Sequence, residues 1–204
     1  MLFKDTVFML KIILTGSESS GKTTLARQLA KYFNMPLVEE YARAFFEKKE
    51  TPQYLQEDLM KIAKGQINDE LRMMNDESPI THDSLPILIC DTDLLTLKIW
   101  SNEVFGNCSL ELIQLIDSQL ISLSSPIANH QSTITSYYFL CSPEGVDWAD
   151  DPLRENPHDR DRLFKIYEKE LKFYEKNYSI LRGSQNKRFD KAVTKINRLL
   201  KNPV

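Results

Sequence analysis

Cysteine is scarce in this 204-residue chain: there are three, Cys90, Cys108 and Cys141. They are scattered and none forms a C-x-x-C pair, which excludes a disulfide framework and argues against a zinc site. Cys90 and Cys141 end apolar runs, LPILIC and YYFLC, where a thiol acts as a small buried hydrophobe. The three histidines, His82, His130 and His158, lie far apart in polar segments and read as surface residues. No apolar stretch approaches the roughly 18 residues that a membrane span needs. The start, MLFKDTVFMLKIILTG, is interrupted by Lys4, Asp5 and Lys11, and no small-residue cleavage site follows. Positive charge is not in excess: 26 Lys and Arg against 29 Asp and Glu give a net charge of −3. A broad nucleic-acid surface is therefore not implied. Internal repeats and low-complexity tracts are absent. With 42% hydrophobic and 27% charged residues, the composition predicts one globular domain over 1–204 in a reducing cytoplasm.

Against these absences stands a clear alternation. Short apolar runs at Met9–Thr15, Pro36–Val38, Pro86–Asp91, Tyr137–Cys141 and Tyr178–Leu181 read as strands. They are apolar throughout, as strands covered on both faces are. Helical stripes separate them: Leu25, Leu29 and Phe33; Leu59, Ile62, Ile67, Leu71 and Met74; Leu163, Ile166, Tyr167, Leu171 and Tyr174; and a last one from Phe189 to Leu200. The expected fold is a five-stranded parallel α/β sheet with helices on both faces. Asn75–Ser84 and Ser122–Ser136 are polar and turn-rich and read as surface loops. The charged stretch 145–162, with Pro152 and Pro157, is a candidate helical lid.

Two of the six glycines fall in Gly16-Ser17-Glu18-Ser19-Ser20-Gly21-Lys22-Thr23, followed by Thr24. This matches G-x-x-x-x-G-K-[ST] between the strand KIILT and the Leu25/Leu29 helix. The glycines allow close backbone approach, the loop N–H groups form an anion nest, and the helix start adds its positive dipole end. Lys22 supplies a point charge to the β- and γ-phosphates, and the Thr23 hydroxyl is a magnesium ligand. Asp91 closes an apolar run as the acidic group of a Walker B element does, which favours metal binding; helix capping is its alternative. Asp93 reads as a cap or a substrate contact.

A GTP switch would need a guanine-reading N-K-x-D; in Asn186-Lys187-Arg188-Phe189-Asp190 the aspartate comes one residue late. No D-x-x-G follows Asp91 either. A small-molecule kinase fits better, because it needs electrostatic positioning more than covalent chemistry. Arg154 and Arg160 on the closing segment could stabilise the phosphoryl group in flight. Arg160 and Arg162, two apart, point to different sides of one helix. The acceptor belongs near Glu39-Glu40-Tyr41-Ala42-Arg43 after the second strand, where a carboxylate could hold a hydroxyl and take its proton. Glu39 and Glu40 point oppositely if extended, and Glu40 is the choice for that role, with Asp91 its competitor. Gln66 interrupts an apolar stripe, as a satisfied buried amide or a ligand contact.

These elements resemble the ribosylnicotinamide kinase domain of the NadR-type bifunctional proteins of NAD biosynthesis. The resemblance rests on GSESSGKTTLARQLA, VEEYAR, Gln66 in KGQ, DTDLLTLKIW with Phe105-Gly106, YYFLCSP, WADDPLRENPHDR and the segment Gly183 to Arg188. It runs in family order over almost the whole chain. It implies a P-loop kinase fold and phosphorylation of the 5′-hydroxyl of nicotinamide riboside with ATP and Mg2+. It further implies that Thr23 and Asp91 serve magnesium, that Arg154 and Arg160 belong to the lid, and that Arg188 lies near adenine. Tyr41 and Trp148 are faces for a cationic nicotinamide ring, with Trp100 a weaker one. Glu40, Arg43, Gln66 and Asp93 complete the implied nucleoside site. Asp151-Pro152 stands where this family often has Asp-Gly before the arginine. The implied partner is a small nucleoside, with no nucleic acid and no membrane; an oligomer is compatible with the sequence. The rival function is a nucleotide-binding regulatory module that senses related metabolites without turnover.

Overall fold

The computed structural model describes residues 7–49, 55–75, 87–121, 132–150 and 158–202. Its framework is a parallel sheet of β1 (Val7–Thr15), β2 (Leu37–Val38), β3 (Ile87–Asp91), β4 (Ser132–Cys141) and β5 (Tyr178–Leu181). The spatial order is β2-β3-β1-β4-β5. β1 lies between β3 and β4, with Leu14 opposite Asp91 and Thr15 opposite Leu140.

The sheet is covered on both faces, which explains the unbroken apolar strands. Along β1, Leu10, Ile12 and Leu14 face one core and Ile13 the other, all buried. The first core is closed by α1 (Lys22–Phe33) and α7 (Gln185–Lys201), through Leu25, Leu29, Ile196 and Leu199. The second is closed by α2 (Tyr41–Glu47), α3 (Gln56–Asn75), α4 (Leu94–Phe105), α5 (Leu110–Ile121) and α6 (Arg160–Phe173).

The five expected strands are present. β4 begins at Ser132, five residues before the expected Tyr137, inside a stretch read as a loop. α2, α4 and α5 add to the expected helices. α4, LLTLKIWSNEVF, is apolar on most sides and shows no single stripe, because it sits among α3, α5 and α6. Arg154, Pro152 and Pro157 lie outside the described residues, as do His82 and His130. Among the described residues, no helix is long and apolar enough to cross a membrane.

The loops after β1 and β4 leave the sheet in opposite directions, β1 leading toward β2 and β4 toward β5. Such a reversal opens a crevice at the carboxyl ends of the strands, where ligands of open α/β sheets bind.

Candidate active site

The loop Gly16–Gly21 fills that crevice. A Cβ on Gly16 would stand 2.6 Å from the Cys141 carbonyl oxygen, and Gly16 has φ +134°. Only glycine satisfies both the angle and the approach. Gly21 precedes α1 at φ +80°, again a conformation that suits glycine. α1 starts with no side-chain cap and no acidic residue in its first turn. Its first N–H groups thus remain available to an anion.

Lys22 Nζ donates to the loop's own Gly16 and Ser17 carbonyls at 2.9 and 2.8 Å. The ammonium is thereby held over the cradle. Asp91 comes alongside from β3 and accepts a hydrogen bond from the Thr23 hydroxyl. Burial pushes the Asp91 carboxyl upward, while that hydrogen bond and the Lys22 charge oppose the shift. Two hard oxygen donors side by side at the phosphate cradle suit a magnesium ion. Thr92 follows at φ +75°, unusual for a β-branched residue, and its N–H bonds the Leu14 carbonyl at 2.9 Å. That strained turn separates Asp91 from Asp93.

A cleft of about 160 Å³, partly open to solvent, runs from the cradle to an opposite wall. Glu40 and Arg43 form part of that wall and pair with each other at 3.3 Å. Glu39 is exposed and pairs with Arg27 at 2.8 Å instead. The two glutamates thus diverge as extended geometry requires. One face of α4 lines the cleft as well: Thr96, Ile99, Trp100, Glu103 and Val104. These positions follow i, i+3, i+4, i+7, i+8, a helical stripe of mixed polarity that an apolar-stripe search passes over. From α6 come Leu163 and Tyr167, whose phenol bonds Thr96 and is pushed up by burial. Of these α4 and α6 residues only Trp100 was expected at the site; the sequence reads Leu163 and Tyr167 as core.

Arg160 and Arg162 diverge too. Arg160 donates to the Ser19 carbonyl of the loop at 3.2 Å and to Val146 at 2.8 Å. Arg162 pairs with Glu103 across the cleft mouth and with Asp159.

Three expected contacts are placed differently, and Asp93 takes the capping one of its two readings. Arg188 is 2% exposed and donates to the carbonyls of Ser20, Gly183 and Glu144. It braces the cradle against the turns after β4 and β5, so the structure uses its guanidinium below the loop and not on adenine. Asp93 caps α4, accepting from Leu95 N at 3.1 Å and from the Tyr138 hydroxyl at 2.5 Å. Both its oxygens are thereby engaged within the protein. Trp148 is not among the cleft-lining residues; its indole N–H bonds Asp150 at 2.9 Å and Arg160 lies 5.9 Å from its ring. Tyr41 lies against Gly65, where a Cβ would stand 2.1 Å from its ring, and it does not line the cleft.

The brace yields a prediction. Arg188→Ala leaves three carbonyls without their donor and should cost on the order of 5 kcal/mol, since hydrogen bonds to charged groups contribute about 1.5–3 kcal/mol each. Urea unfolding should show the loss, and calorimetry with an ATP analogue should show weaker nucleotide binding. An adenine contact predicts the reverse pattern: unchanged stability and altered preference between ATP and GTP.

The family model for the AAA domain matches residues 11–188. No curated protein compared with the chain matches it in sequence. Among solved structures, a NadR protein in complex with NR superposes with TM-score 0.68 at 21% identity, over 97% of this chain and 53% of that one. A NadR protein with NAD and AMP-PNP gives 0.65 at 20%, over 97% and 51%. The chain therefore spans about half the length of the NadR proteins it matches. Thymidylate kinase from Ehrlichia chaffeensis gives 0.57 at 13%, over 92% and 98%. At these identities the likeness is one of fold.

Proposed function

The chain belongs to the AAA-domain family, and on that footing we propose that it is a phosphotransferase acting on nicotinamide riboside with ATP. The observation that carries this reading is the cleft itself: phosphate cradle on one wall, Glu40 carboxylate on the other, with room between for a nucleoside. Both NadR structures named above share the fold, and their ligands, NR in one and NAD with AMP-PNP in the other, are of this chemical kind.

In this reading the loop N–H groups and Lys22 hold the β- and γ-phosphates and neutralise charge as the transferred group moves. Thr23 and Asp91 are the donors that would hold magnesium, which supplies positive charge to the same phosphates. Glu40 orients the 5′-hydroxyl and accepts its proton as the oxygen attacks the γ-phosphorus and ADP leaves. Trp100, on the cleft wall, offers a face to the cationic ring. Arg160, which donates to the Ser19 carbonyl of the loop, would turn to the phosphates bound there. The free thiols of Cys90 and Cys141, both buried, suit a cytoplasmic setting.

The test is a panel of nucleosides assayed for ADP release, with products identified by NMR. Nicotinamide riboside should give its 5′-monophosphate and be the best acceptor. Tight binding of nucleotide and riboside with no product would favour a metabolite-sensing module instead.

A further inference from the structure

Beyond the cradle loop and Lys22, few charges line the cleft. From the start of α2 come Glu40 and Arg43, which pair with each other, and from α4 comes Glu103. Glu103 has a counter-ion in Arg162 of α6, whose guanidinium donates to Oε1 at 3.2 Å and also to Oε2. Arg162 itself is not among the cleft-lining residues, and its charge is shared: Asp159 accepts from its Nε at 2.7 Å. Glu103, Arg162 and Asp159 together carry −1. The carboxylate belongs to the cleft wall and its counter-ion stands outside, so a molecule in the cleft meets the negative group at the shorter distance.

α4 sets the level of this charge. Thr96, Trp100 and Glu103 share one helix face, which rises about 10 Å from Thr96 to Glu103 at 1.5 Å per residue. Thr96 lies in the first turn after the Asp93 cap, at the end nearest the sheet; Glu103 lies in the last turn before Gly106. Trp100 stands between them, with Phe46 of α2 packed edge-on at 5.9 Å between ring centroids. An indole and a carboxylate one turn apart both attract positive charge, the first through its ring quadrupole and the second directly.

Resting on the kinase reading above, we infer that Glu103 is a specificity residue: it selects an acceptor whose base carries a positive charge, and Arg162 sets the strength of that selection. A pyridinium ring over Trp100 brings its charge toward the carboxylate. A neutral ring of the same shape finds the same stacking surface, but it takes water from the carboxylate and gives nothing in return. The cradle handles the phosphates, and the far end of α4 reads the charge of the base.

The experiment is calorimetric binding, in the presence of AMP-PNP, of nicotinamide riboside and of benzamide riboside, in which carbon replaces the charged ring nitrogen. Wild type should bind the cation about tenfold more tightly, 1.4 kcal/mol in free energy. Glu103→Gln keeps the size and a hydrogen bond to Arg162 and removes the charge. Its preference should fall to about threefold, the share left to the face of Trp100. Arg162→Gln removes the counter-ion and should raise the preference to about thirtyfold. Both side chains of the pair are partly exposed, so neither variant should move the urea midpoint by more than about 1 kcal/mol. The opposite signs separate charge reading from a structural role, which would shift both variants the same way. Equal binding of the two ribosides by wild type, an unchanged preference in Glu103→Gln, or a fall in both variants overturns the inference. Turnover of both ribosides at equal affinity would overturn it and leave the kinase reading standing; selective binding without turnover would do the reverse. Failure of both ribosides to bind would overturn the two together.

Discussion

Replacing Lys22 with alanine should lower single-turnover phosphoryl transfer by about 10²- to 10³-fold, the loss expected when one preorganised electrostatic contact to a transition state is removed. The ammonium sits 2.8–2.9 Å from two carbonyls of the loop it serves. It is therefore held over the cradle by the loop's own backbone. When a triphosphate enters, the same charge can turn from those carbonyls to the phosphate oxygens without a large rearrangement. That arrangement places its main effect on the chemical step and a smaller one on nucleotide affinity. The backbone N–H groups and the start of α1, which carries no acidic residue in its first turn, still bind the anion. Rapid-quench measurement with ATP and nicotinamide riboside reads the rate, and a fluorescent ATP analogue reads affinity. A variant that transfers at the wild-type rate would remove the cradle from the mechanism.

The cradle could be read from the sequence because its chemistry is local. Gly16, Gly21, Lys22 and Thr23 act through the backbone of one loop, and their spacing is fixed by that loop's geometry. The strands were legible for a related reason: burial on both faces leaves an apolar run that needs no partner to be recognised. Asp91 could be placed because it ends such a run, and β3 does lie beside β1.

What failed to show depends on depth and on neighbours. Arg188 has the charge of a ligand contact, and only the fold reveals that three carbonyls surround it. Asp93 could equally cap a helix or touch a substrate; its bonds to Leu95 and Tyr138 decide for the cap. Trp100 looked weaker than Trp148, yet α4 turns Trp100 into the cleft. The cleft face of α4 mixes Thr96, Ile99 and Glu103, and a cavity wall has no single hydrophobic period. Gln66 was conspicuous as a polar residue on an apolar stripe, but the Tyr41 N–H that its oxygen accepts shows only in the fold.

The two carboxylates should separate by which constant they alter. Glu40→Gln should reduce kcat by about 10²- to 10⁴-fold, the range for losing a positioned general base, with ATP affinity nearly unchanged. Glutamine keeps the size and one acceptor oxygen, so the acceptor hydroxyl can still be held; what disappears is a group able to take its proton. The pair with Arg43 is lost as an ion pair but not as a hydrogen bond, and both side chains are partly exposed, so the structural cost is small. Asp91→Asn acts on the other wall. Asp91 is bonded by Thr23 beside the cradle, so its loss should raise the magnesium concentration needed for half-maximal rate. Saturating magnesium should then restore part of the Asp91→Asn rate and none of the Glu40→Gln rate. If instead Glu40→Gln is rescued by magnesium, or Asp91→Asn loses kcat at every magnesium concentration with affinity intact, the proton acceptor is Asp91. Glu40 would then be left to hold the hydroxyl alone.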